Sequence, residues 1–153
     1  MISLFIVMCF VFIGYVGSIW IIYGPQQSIS ESYYTLPRKW NFLFTLFTWG
    51  FAFPAIIIGD STYMFIAGSG IIFVGAAAQM HDKAVRVVHL FTAFTGIIFS
   101  QVALIFQYDM WYITVLYAVS IPILYFMIRK YWIWYIEILA FLSICIALAY
   151  TLF

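Results

Sequence analysis

The sequence predicts an all-α membrane protein: a single transmembrane domain over residues 1–153, folded as a bundle of six transmembrane helices with the N-terminus and the C-terminus both exoplasmic. Three observations lead there. The composition is 67% hydrophobic and 7% charged, with a mean hydropathy of +1.13. A soluble domain carries about 25% charged residues, so this chain cannot wet a surface on all sides and its solvent must be lipid. Six apolar runs, at about 20 residues per crossing, use up nearly the whole length. The gaps between the runs also alternate in charge. Arg38 and Lys39 lie in the first, Lys83 and Arg86 in the third, Arg129 and Lys130 in the fifth, while the second and fourth hold only Asp60 and Asp109. Basic loops stay on the cytoplasmic side, and alternation without an exception sets the orientation of every span.

The first span is expected over 3–23. It starts without the positive n-region of a cleaved signal and is too long for an h-region, so it reads as a retained helix. Gly14, Gly17 and Ser18 give it a small-residue face. Gly24 and Pro25 stop it, and the longest loop follows, ending at Pro37. The second span is 40–58, with Pro54 as a kink. Gly59 and Asp60 make a tight turn into the third span, 63–79, where Ala67, Gly68, Ser69, Gly70 and the small run 75–78 let neighbouring backbones approach. That helix is expected to be the most enclosed of the six. The fourth span is 87–106, the fifth 110–128 with Pro122 as a kink, and the sixth 132–152. Trp20, Tyr23, Trp40, Trp111, Tyr112, Tyr131, Trp132, Trp134 and Tyr135 fall near span ends, where amphipathic rings prefer the headgroup level.

A net charge of +1 without a basic run offers nothing to nucleic acid. The partners expected are the lipid bilayer and, within it, a second copy or a membrane partner subunit. Cys9 and Cys145 sit inside spans and read as small hydrophobes.

Polar groups within membrane helices face protein rather than lipid. At about 100° per residue, His89, Thr92, Gly96 and Ser100 form one stripe on the fourth span, and Asn41, Thr45, Thr48 and Ala52 another on the second. Such stripes serve interhelical hydrogen bonds or line a cavity, and both readings stay open. Depth singles out the cytoplasmic half. His89 lies about 4–5 Å inside that edge and Glu137 about 10 Å, at 1.5 Å of rise per residue. Asn41 and the loop bearing Ser28, Ser30 and Glu31 belong to the same side, as do His81 and Asp82. Glu137 is the costliest residue to insert; it either pairs with Lys130 or serves a site. His81, Asp82, His89 and Glu137 would together suit zinc, although Asp82 is also placed to cap a helix with Arg86 at i+4.

The segment SISESYYTLP before one span and HDKAVRVVH entering a later one resemble the layout of small uncharacterised bacterial multi-span proteins. More distantly, they are similar to the ceramidase and adiponectin-receptor-like membrane hydrolases. The first likeness implies a bacterial inner (plasma) membrane. The second implies zinc chemistry, with Ser28 or Ser30, Asp82 and His89 approaching one another. It covers about the first 100 residues, and the chain departs from it in having six spans rather than seven and no late HxxxH pair. Three functions follow in order of support: a non-enzymatic scaffold, partner subunit or small transporter; a metal-dependent hydrolase acting on a lipid or amide at the cytoplasmic leaflet; and an ion- or proton-conducting oligomer.

Overall fold

A computed structural model describes residues 1–78 and 82–153, and among these are seven α-helices, one 3-10 turn and no β-strand. The helices are α1 (Ile2–Tyr23), α2 (Ser32–Thr35), α3 (Phe42–Gly59), α4 (Thr62–Ala76), α5 (Lys83–Phe106), α6 (Trp111–Met127) and α7 (Trp132–Leu152). All except α2 follow an apolar run of the sequence. α1, the stretch Arg38–Gly59, α5 and α7 are long and apolar enough to cross a membrane, whereas α4 and α6 are apolar but only 15 and 17 residues long.

Local chemistry accounts for the ends. Gly24, at φ 78°, closes α1. Asp60 and Asp109 both adopt the left-handed region, with φ of 40° and 53°, which Asp tolerates better than most residues bearing a Cβ. The single acid in each of these turns therefore has a conformational job. Ser61 caps α4 by accepting from the Met64 N–H at 3.1 Å. The two Asp turns are tied together, since the Gly59 carbonyl accepts from Gln107 Nε2 at 2.7 Å and from the Tyr108 hydroxyl at 3.3 Å. Tyr108 is buried, and that burial pushes its phenol up to about 12.

Going round the bundle, α1 packs on α3, α3 on α4, α4 on α5, α5 on α6 and α6 on α7. α7 closes the ring against α1 and also touches α3 and α5. Both ends of the chain meet on one side, where the Phe5 and Phe153 rings stand 6.4 Å apart. Lipid tails provide no hydrophobic drive between helices, so van der Waals fit must hold the bundle. At its centre the Phe141 ring meets Phe12 at 5.5 Å, Phe47 at 5.4 Å and Phe51 at 4.6 Å.

Small residues seat α4 between its neighbours. A Cβ on Gly70 would lie 2.7 Å from the Thr92 carbonyl oxygen and 2.9 Å from the Gly96 nitrogen; one on Gly75 would run into the Thr48 side chain. The most enclosed helix is nevertheless α3, with nine buried residues in 18 against six in 15 for α4. Small residues bring backbones close on two sides but leave Phe65 and Phe73 facing outward, whereas Phe44, Phe47 and Phe51 of α3 reach the centre. Trp134 also departs from the sequence expectation. Trp20, Trp40 and Trp111 are exposed, whereas Trp134 is fully buried.

Candidate functional site: a largely apolar cavity roofed by the first loop

The loop after α1 turns inward. Ile29, an isolated aliphatic residue among polar ones, is 2% exposed and inserts between the helices. Glu31 N–H donates to the Ser28 Oγ at 3.2 Å, Ser28 and Ser30 share a hydrogen bond at 3.0 Å, and the Ser32 Oγ donates back to the Ile29 carbonyl at 2.5 Å. Tyr15 of α1 reaches Ser32 at 2.6 Å. This folding aims the main-chain N–H of Ile29 at α7, where Glu137 Oε2 accepts it at 2.5 Å. A carboxyl that would be costly in hydrocarbon thereby supplies the acceptor that an inward-turned loop needs.

His89, on the second turn of α5, is 2% exposed. Its Nδ1 donates to the Ala77 carbonyl at 3.2 Å; a carbonyl can only accept, so Nδ1 carries the proton. Carbonyls at a helix end lack intrahelical partners, and His89 satisfies one just beyond α4. His89 and Glu137 do not hydrogen-bond to each other. Instead they line one cavity of about 60 Å³ among α3, α4, α5 and α7, together with Ser30, Thr48, Ser100 and the rings of Phe44, Phe47 and Phe141. That volume is room for about two water molecules or a small polar head.

The stripes foreseen on the second and fourth spans do face inward. Thr45 Oγ1 donates to the Gly75 carbonyl at 3.0 Å, and Thr48, Ala52, His89, Gly96 and Ser100 are buried. Thr92, half-buried like Asn41 and Thr45, bonds instead to carbonyls of its own helix. Farther along the bundle, Gln101 Nε2 donates to Ser143 Oγ at 3.0 Å, and Gln101 Oε1 is buried with no partner among the described residues.

Of the candidates read from the sequence, Ser30, His89 and Glu137 share the cavity. Ser28 supports Ser30 from outside it, and Glu31 is half-buried at the start of α2. Asn41 precedes α3 with a buried Oδ1 that has no partner among the described residues, and it does not line the cavity. Asp82 is exposed and caps α5, its Oδ1 accepting from the Ala84 N–H at 2.6 Å; it borders a separate depression with Tyr33 and Val85. His81 lies outside the described residues. Among the described residues no three His, Cys, Asp or Glu side chains gather to hold a metal ion, so Asp82, His89 and Glu137 do not assemble the donor set that zinc requires. The expected Glu137–Lys130 pair does not form either, as Lys130 Nζ lies 5.0 Å over the Tyr131 ring. Among the described residues Glu137 has Ile29 N–H as its polar partner and no cation.

Sequence reasoning missed Ile29, Ser32 and Tyr15. A single aliphatic residue flanked by serines in an otherwise polar loop was the available signal. Compared with protein-family models, with curated proteins and with solved structures, the chain finds no match in any of the three.

Proposed function

We propose that this chain is a six-span protein of a bacterial plasma membrane, with both termini exoplasmic, acting as a small transporter or as the binding subunit of one. α4 and α6 are about 22 and 25 Å long at 1.5 Å per residue, short for hydrocarbon of about 30 Å but within what local thinning accommodates. The meeting of Phe5 with Phe153 fits an even number of crossings, and the alternation of basic and acidic gaps supports the orientation. The required partner is the lipid bilayer, and a second copy or partner subunit would dock through the same outward apolar surface.

The cargo we infer is a small organic ammonium compound. One observation carries this: Glu137 lines a cavity walled by Phe44, Phe47 and Phe141 and has no cation beside it among the described residues. An ionised carboxyl away from water needs a counter-charge, and aromatic faces attract cations by about 0.5–2 kcal/mol each. An ammonium group would supply the counter-charge while its carbon substituents meet the rings. Calorimetric titration of the protein in lipid nanodiscs with methylammonium, which is small enough for the cavity, tests it. Binding should weaken at least about tenfold for uncharged methanol and for Glu137→Gln, the loss of one charge-assisted contact. Equal binding of methanol, or an indifferent Glu137→Gln, would refute the assignment.

The second reading, a hydrolase at the cytoplasmic leaflet, is favoured by Ser30 standing on the same cavity as His89 and Glu137 and by the layout likeness to ceramidase-like enzymes. Zinc bound one to one in the purified protein would turn the balance toward it.

A further inference from the structure

Cys9 and Cys145 stand 136 positions apart in the chain, yet both pack against the same core where α1 meets α7, close enough for each thiol to feel the other. The helix pairing explains why. α1 and α7 run antiparallel, and two ring contacts set their register: Phe5 with Phe153 at 6.4 Å toward the chain ends, and Phe12 with Phe141, stacked at 5.5 Å, farther in. Cys9 falls between Phe5 and Phe12, and Cys145 between Phe141 and Phe153. The two thiols therefore sit at one depth, about 10 Å from the outer ends of their helices. Both are unoxidised and half-buried, beside the outward-facing Phe10 and Ile146.

We propose that Cys9 and Cys145 are a two-electron redox pair that closes into a disulfide between α1 and α7. In the reaction both S–H bonds break and one S–S bond forms, and two electrons and two protons pass to a membrane-soluble quinone, which leaves as the quinol. A quinone suits the place because it dissolves in the apolar layer where the thiols are, which a water-borne oxidant does not enter. The bond would clamp together the two helices whose inner ends carry the loop of Ile29 and the carboxyl of Glu137.

The test uses the intact chain in isolated membranes. These are treated with decyl-ubiquinone, then denatured and labelled with a polyethylene-glycol maleimide that retards the protein once per free thiol. The wild type should carry no label after oxidation, run as a monomer without reductant, weigh two hydrogens less, and recover both labels with dithiothreitol. Cys9→Ser and Cys145→Ser should each keep one label throughout. Two labels on the oxidised wild type would overturn the proposal, and so would a disulfide-linked dimer or a gain of oxygen in place of the loss of hydrogen.

Discussion

The Glu137 carboxyl on α7 and the Ile29 main-chain N–H, 108 residues apart in the chain, are joined by a hydrogen bond of 2.5 Å. The bond places an acidic group at the roof of the cavity among the helices and holds the first loop inside the bundle. Two substitutions separate these roles. Glu137→Gln keeps an acceptor for Ile29 and should leave the loop in place. Glu137→Ala strands a buried N–H, which costs about 1–3 kcal/mol. Hydrogen exchange over residues 28–36 should accelerate in the alanine variant and change little in the glutamine variant.

Close approach of α4 to α5 makes Gly70 intolerant of any side chain. Its Cβ would meet main-chain atoms of Thr92 and Gly96, which cannot rotate aside. Gly70→Leu should cost at least about 1–3 kcal/mol, the usual penalty of overpacking. Ile57→Phe, on an exposed face of α3, should stay within about 0.5 kcal/mol. The yield of monodisperse protein after mild-detergent extraction, with thermal unfolding of what is recovered, reports both.

The left-handed turns give a paired prediction. Asp60→Gly and Asp109→Gly should be neutral or slightly stabilising, because glycine reaches positive φ without strain. Asp60→Val and Asp109→Val should each lose about 1–2 kcal/mol. An equal response of the Gly and Val variants in thermal unfolding would show that the acids serve by charge rather than by conformation.

Alkaline pH should loosen the knot between the two Asp turns. Burial raises the Tyr108 phenol from its ordinary value of 10.0 to about 12, so the folded chain holds that proton more tightly than the unfolded chain does. The stabilisation is complete below pH 10 and falls as pH rises from about 10 to about 12. Melting temperature recorded across that window should drop in the wild type and drop less in Tyr108→Phe.

Topology is open to thiol labelling in a background where both native cysteines are alanine. A cysteine at Asp60 should react with an impermeant maleimide from outside intact cells, and one at Lys83 only after the membrane is opened. The reverse pattern would invert the bundle.

The amino-acid sequence by itself determined the helices and their inward stripes. Hydropathy, the small-residue run of α4 and the breakers at Gly24 and Pro37 act over a few neighbouring residues, so the ends of α1, α3 and α7 are legible within a residue or two. Periodicity likewise turned His89, Ser100 and Thr48 inward, because polar groups in lipid have nowhere else to go. α5 begins earlier than hydropathy suggests, at Lys83, since a polar first turn capped by Asp82 is no less helical for being wet. Only the tertiary structure decided what meets what. An N–H donor carries no side-chain signature, so the bond from Ile29 to Glu137 could not be read from residue types. The separation of Asp82 from His89 and the meeting of Cys9 with Cys145 depend on register between helices, and register is set by the fit of rings and glycines across interfaces, a property of two surfaces rather than of either sequence segment.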